Sequence, residues 1–439
     1  MERCGQGGST GLDQTALGKI QTGFTPAHLS VTPGDADILK RLAERVAEIA
    51  HSSEMADTRT LWKRLNRLER VRPLVLCDPE NGWNEIITKA EMACGGNLAR
   101  RWEMDLRKEI FWGTEMGDDK PVEPYFDVPY AVSADDWGLE AVYHQTDSAG
   151  SYVWENPIKD YSIDLPKIHS PRFEIDWETT HGCLDIARRL FGDVLTVRLK
   201  GTWWWSLGLT LPAATLRGLN NLYLDLIRNP EGLKELLATI SEGYLEKLDY
   251  LEREGLLSLN NDGTYIGSGG YGFTDELPQA DFVGRVRTAD MWGFTESQET
   301  VGVSPEMYAE FIFPYEKPIM DRFGLTCYGC CEPLQARWPM VKRHHNLRRV
   351  SCSPWVDLVK MADHLQDDYV FSMKPNSAPL SRPNLNKEQI RRELREALAI
   401  TRDCRVEVIM KDNHTIGGRP ENVVEWCRIA REEAERVAA

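Results

Sequence analysis

Residues 324–334 read GLTCYGCCEPL. Leu325, Thr326, Cys327 and Tyr328 form a short run of strand-forming residues, and Gly329 breaks it. Cys330, Cys331, Glu332 and Pro333 follow as a loop. A strand whose C-terminal end delivers thiols, a phenol and an acid has the layout that (β/α)8 barrels use to place their chemistry. The plain alternative is inert packing, because free cysteine is commonly buried.

The same alternation continues outward in both directions. A helical pattern over 304–323 precedes the stretch, and a strand over 349–353 follows it. Further strands are predicted over 74–77, 195–200, 256–260, 290–294, 369–374 and 406–411. Several are short and almost continuously apolar, as parallel strands covered on both faces should be. Helices are predicted over 230–254, 357–365, 387–402 and 421–437. Eight strand–helix units in series predict a (β/α)8 TIM barrel over residues 71–439. Ahead of it, residues 1–70 read as an N-terminal arm of about 30 residues and two helices, 33–50 and 58–70. About 115 residues separate the first two strands, too many for a bare loop. The interval, rich in Trp, Tyr, Asp and Pro, is expected to be a large insertion over about 80–190 near the barrel mouth.

Composition limits the partners. Of 439 residues, 42% are hydrophobic and 27% charged, as in ordinary globular chains. A net charge of -16 argues against a nucleic-acid surface, which should be basic. No apolar run reaches the about 18 residues needed to span a membrane. MERCGQGGSTG at the N-terminus has no hydrophobic signal core. The chain is therefore expected in the cytoplasm, with its ten cysteines reduced. Nothing here decides oligomeric state, so a homo-oligomer stays open.

Read as a set, the strand ends carry polar groups at one end of the barrel. Asp262 follows the third strand, and Glu296 and Gln298 the fourth. Tyr328, Cys330 and Cys331 close the fifth, and Trp355 follows the sixth. Lys374 ends the seventh, and Lys411 and His414 belong to the eighth. A scaffold barrel has no need of such a set. Solvated loop residues and helix caps are the competing account for any single member. Cys330, Glu296 and His414 could share a zinc ion with one position left for substrate. Cys331 with His414 could instead form a nucleophilic pair. Asp262, Glu296, Tyr328, Cys331, Lys374 and Lys411 are the candidate catalytic groups, and the lysines could hold a carboxylate or phenolate. Three consecutive tryptophans, Trp203 to Trp205, cannot all face one core, so Trp204 and Trp205, with Gln298 and Trp355, are candidate substrate contacts. GSGGYG over 267–272 lacks the lysine and the strand–loop–helix setting of a phosphate loop.

The segments WGFTESQETVGVSPEMYAEFIFPYEKPIMDRFGLTCYGCCEPL and VEVIMKDNHTIGGRPENVVEW, with the strand order, resemble the uroporphyrinogen decarboxylase-like superfamily over about residues 180–435. The resemblance implies a TIM barrel and points to that family's corrinoid-dependent methyltransferases. Their zinc shell has a His-x-Cys after one strand and a further Cys near the last. Tyr328 stands where that His would be, Cys330 matches the Cys, and His414 lies near the place of the last Cys. The arginine-rich N-terminal run of the true decarboxylases is missing, which argues against porphyrinogen decarboxylation. The expectation is methyl transfer between a small methylated molecule, with a methoxylated aromatic suited to the tryptophans, and a cobalamin-type corrinoid on a partner protein. The alternatives are a metal-assisted decarboxylase or lyase acting on a small carboxylated substrate, and a non-catalytic ligand-binding barrel.

Overall fold

The structure, a computed structural model, describes residues 13–14, 20–21, 28–134, 137–145 and 152–438. Most of the expected N-terminal arm lies outside the described residues. Helices Pro33–Ala50 and Ser53–Asn66 follow it. The second begins five residues earlier than its apolar pattern suggests, because Ser52 Oγ accepts a hydrogen bond from Met55 N and caps it.

Among the described residues, eight strands pair in parallel: β1 (Leu74–Cys77), β2 (Tyr125–Val128), β3 (Thr196–Leu199), β4 (Trp292–Thr295), β5 (Leu325–Tyr328), β6 (Leu347–Cys352), β7 (Val370–Met373) and β8 (Arg405–Met410). Six form one sheet in the order β4-β5-β6-β7-β8-β1, and β2 pairs with β3 separately. The result is a mixed α/β fold around a six-stranded parallel sheet. It differs from the expected closed eight-stranded ladder: among the described residues the six-stranded sheet and the β2–β3 pair are not joined by ladder hydrogen bonds, and one expected strand is replaced. Residues 256–260 enter no ladder, and β2, inside the expected insertion, pairs with β3 instead.

Hydrogen bonding accounts for the exchange. Trp203 Nε1 donates to Leu256 O at 2.9 Å. The Asn260 side chain meets the free edge of β4, donating to Trp292 O and accepting from Trp292 N, both at 2.9 Å. The β1 edge is closed in the same manner. Val75 N donates to Asp119 Oδ2 at 2.8 Å and Cys77 N to Asp118 Oδ2 at 2.9 Å. Both sheet edges thus end in side-chain acceptors rather than exposed backbone.

Strand alternation divides the sheet into two faces. Val75, Cys77, Tyr328, Val350, Cys352, Phe371, Met373, Val406, Val408 and Met410 pack into the core shared with the outer helices. Leu74, Leu76, Val370 and Ile409 face inward against Trp62 and Tyr271. The glycine-rich segment 267–272 fills this inner space. Gly270 N donates to Glu407 Oε1 at 2.7 Å, and Ser351 Oγ to Ser268 O at 3.1 Å. A Cβ on Gly270 would stand 2.6 Å from Glu407 Oε2, so only glycine fits. Below it, Arg349 Nε lies 3.0 Å from Glu407 Oε1, with both side chains fully buried. Helix 304–323 is observed as two pieces, Pro305–Phe311 and Phe313–Met320, with Pro314 and Pro318 in the second.

Candidate active site

Register aligns the strand ends: Thr295 pairs with Tyr328, Cys352 with Met373, Met373 with Val408, and Met410 with Cys77. The next residues therefore emerge at one end of the sheet. On the inward phase are Asp78, Glu296, Ser353, Lys374 and Lys411, each two positions beyond an inward-facing strand residue.

Glu296 is fully buried there. Its Oε1 accepts from Ser206 Oγ at 3.1 Å and its Oε2 from Gln298 N at 3.0 Å. Burial, and then the carboxylates of Glu299 and Glu332, hold its proton well above the usual carboxyl range. Glu299, bonded by Thr210 Oγ1 at 2.7 Å, is raised as well, first by burial. Glu332 has a mechanical role. Its carboxylate accepts from Ser297 N at 2.9 Å and Cys330 N at 3.0 Å, which ties the loop after β4 to the loop after β5.

Gly329 turns the chain out of β5 with φ +101°, and a Cβ there would sit 2.7 Å from Ser351 O. The turn brings Cys330 back over the inner face, where it joins Phe294, Cys327, Ile266 and Trp205. Ser268 Oγ donates to Cys330 Sγ at 3.0 Å, and the Cys330 and Cys331 sulfurs are 3.6 Å apart. Cys330 is buried and Cys331 exposed. Their hydrogen bond, followed by burial, raises the Cys330 thiol; the same bond, with Lys374 and Lys411 nearby, lowers that of Cys331. Lys374, 3% exposed, donates to Cys330 O at 3.1 Å. Lys411 Nζ stands 3.6 Å from Asp412 Oδ1 and 3.9 Å from Glu80 Oε1. Burial opposes the Lys411 cation, but Asp412 and Glu80 outweigh it and raise its pKa.

The other expected residues divide between this mouth and other places. Asp262 is bound by Lys200 Nζ at 2.9 Å and Arg198 Nη1 at 2.9 Å, beside a polar cavity of about 710 Å³ that also touches helix Ser53–Asn66. Its partners are these cations and Thr264, not the thiols or Glu296. Tyr328 ends on the outward phase of β5. Its hydroxyl meets Ser297 Oγ and Tyr308 OH, each at 2.9 Å, and its ring stacks on His344 at 5.0 Å. Of the tryptophans, Trp205 packs on Phe294 beside the thiols, whereas Trp204 packs on Phe323 in the outer layer. Gln298 contributes its backbone amide to Glu296, and Trp355 stands 71% exposed after β6.

His414 is exposed on the loop after β8, and Cys330 and Glu296 are engaged with Ser268 and Ser206. Among the described residues, no group of three or more His, Cys, Asp and Glu side chains is placed to hold a metal ion. Of the three, only His414 stands exposed; Cys330 and Glu296 are both buried on the inward side.

Three groups at the mouth are absent from the sequence-derived set. Asp78 accepts from Trp83 Nε1 at 3.2 Å, and Glu80 Oε2 from Asn413 N at 3.0 Å. Burial pushes Glu80 up to about 7 against the pull of Lys411. The buried Tyr265 hydroxyl has no hydrogen-bond partner. The signal for the first two was available in LVLCDPE, where the first strand also ends in acids.

No family model and no curated protein matches the chain. Among solved structures it is similar to a methyltransferase from Methanosarcina mazei, at a TM-score of 0.47 and 11% identity, over 87% of this chain and 99% of that one. A likeness this distant says nothing of activity. Among the described residues, no helix is long and apolar enough to cross a membrane.

Proposed function

We propose that this protein is an enzyme that moves a methyl group from a small methylated substrate to a corrinoid carried by a separate protein. The observation that carries the reading is Glu296, a fully buried acid at the end of β4 whose proton is held more tightly by burial, beside Trp205 and the two thiols. Breaking a methyl–oxygen or methyl–nitrogen bond leaves a basic fragment, and Glu296 would protonate it. Trp205 would cover one face of the substrate, and Glu332 would keep the acid and the thiols in register. The corrinoid would supply the methyl-accepting cobalt. Trp355 and Val301, exposed after β6 and β4, offer apolar rim contacts for its carrier. The sequence resemblance to corrinoid-dependent methyltransferases supports the same reading.

Incubation with cob(I)alamin and a panel of methoxylated aromatics, methylamines and methanol tests it. The spectrum of methylcobalamin should appear with at least one donor and be lost in Glu296→Gln. A second reading rests on Lys374, which is buried with only Cys330 O bonded and has donors left for a substrate carboxylate. Silence across the panel, with carbon dioxide released from a carboxylated substrate, would replace methyl transfer by decarboxylation.

A further inference from the structure

Cys330 and Cys331 are adjacent in sequence, 3.6 Å apart at sulfur, and opposite in exposure. Most neighbouring cysteines do not bring their sulfurs together, because successive side chains of extended backbone point apart. Here the left-handed turn at Gly329 and the grip of Glu332 on Cys330 N fold the pair onto one side. The remaining described cysteines are buried, save for Cys404, which is half-buried and donates weakly to Ala362 O at 3.7 Å. Cys331 is the exposed thiol among them.

We propose that Cys330 and Cys331 form a reversible oxidation site that a hydroperoxide closes into a vicinal disulfide. The Cys331 sulfur, which solvent reaches, attacks the peroxide. Its new sulfur–oxygen bond forms as the oxygen–oxygen bond breaks, giving a sulfenic acid and an alcohol, or water from hydrogen peroxide. The Cys330 thiol then attacks the Cys331 sulfur. The disulfide forms, the hydroxyl leaves with the Cys330 proton as water, and the two thiols have together lost two electrons to the peroxide. The sulfurs must close from 3.6 Å to about 2.05 Å. Adjacent Cα atoms stand about 3.8 Å apart, below the separation usual for disulfides, so the ring is strained and readily reduced. Closure takes the Cys330 sulfur away from Ser268 and turns the peptide that Lys374 and Glu332 hold. The mouth is then reshaped whichever reaction it carries out, so the proposal does not rest on methyl transfer.

The test uses the full chain and hydrogen peroxide. After native treatment, alkylation under denaturing conditions and trypsin digestion, the peptide 323–337 is mapped by mass. It should be lighter by two hydrogens, with Cys330 and Cys331 unalkylated and Cys327 alkylated. Dithiothreitol should restore both sites. Cys330→Ser should stop at the sulfenic acid, which dimedone captures on Cys331, and Cys327→Ser should leave the disulfide unchanged. Oxidation of Cys331 to the sulfinic or sulfonic acid while Cys330 remains alkylatable would overturn the proposal. So would a bond to Cys327, or no change in the folded wild-type protein, and these last readings need no variant to fold.

Discussion

Two glutamates of this protein are equally buried and meet opposite fates. Glu407, in the middle of β8, faces Arg349 at 3.0 Å and takes a backbone hydrogen bond from Gly270. Glu296, one position beyond β4, has a hydroxyl, a backbone amide and two further carboxylates around it, and makes no ion pair among the described residues. Burial is the same, and what differs is the partner: a guanidinium for one, hydroxyl, amide and carboxylates for the other. The lower interior holds a matched ion pair that fixes the fold. The mouth holds an acid that keeps its proton and can give it away. A buried ionisable group without its opposite charge is what a reactive site has and a structural one avoids.

The largest expected effect breaks the matched pair. Glu407→Gln leaves the Arg349 guanidinium buried without a counter-ion, and urea unfolding should show a loss of about 3–5 kcal/mol. Glu296→Gln sharpens the contrast. An uncharged amide replaces an uncharged acid, so stability should move by under about 1 kcal/mol, while methyl transfer to cob(I)alamin falls by about 100-fold or more. An unfolding cost for Glu296→Gln as large as that for Glu407→Gln would erase the distinction between the two regions. Asp262→Asn comes next. It weakens the contacts with Arg198 and Lys200 and should cost about 2 kcal/mol in the same unfolding measurement. The methyl-transfer rate should stay unchanged, since Asp262 is paired with Arg198 and Lys200 rather than with Glu296 or the thiols.

The last test reads pH dependence and concerns Glu316, behind the sheet. Tyr308 OH donates to its Oε2 at 3.0 Å, and His344 stands 3.9 Å away, too far for a hydrogen bond. Burial raises Glu316 from 4.5 to about 8 and lowers His344 to about 3. The folded state therefore holds a proton on Glu316 that the unfolded chain releases above its ordinary pKa. That contribution is complete below about 4.5 and is lost as pH rises through about 8. The unfolding free energy of Glu316→Gln, taken relative to the wild type at each pH, should rise between these values, because the variant loses the Glu316 proton linkage and keeps that of His344.

Much of the parallel sheet was legible in the sequence. Strands 74–77 and 325–328 coincide with β1 and β5, and β4, β6, β7 and β8 lie within about two residues of their predicted ranges. Short apolar runs followed by amphipathic helices are strong local signals. The segment 256–260 carried the same signal and failed, because its neighbours offered side chains where a ladder needs backbone. Lys374, Lys411 and Glu296 were also legible, since each directly follows a strand. Tyr328 was not, although it ends a strand too, because the inward phase of β5 runs through Leu325 and Cys327.

The sequence by itself determined where strands end, which ionisable residues follow them, and that two thiols stand side by side. Those are local properties, set by propensity, periodicity and bond connectivity. Only the tertiary structure decided which strand ends share a mouth. It gave Asp262 to Arg198 and Lys200, turned Tyr328 toward the helices and left His414 on an outer loop. It also drew Asp78 and Glu80 from β1 beside Lys411. Charge pairing depends on distance through space and on what water is excluded, and neither quantity is written in sequence order.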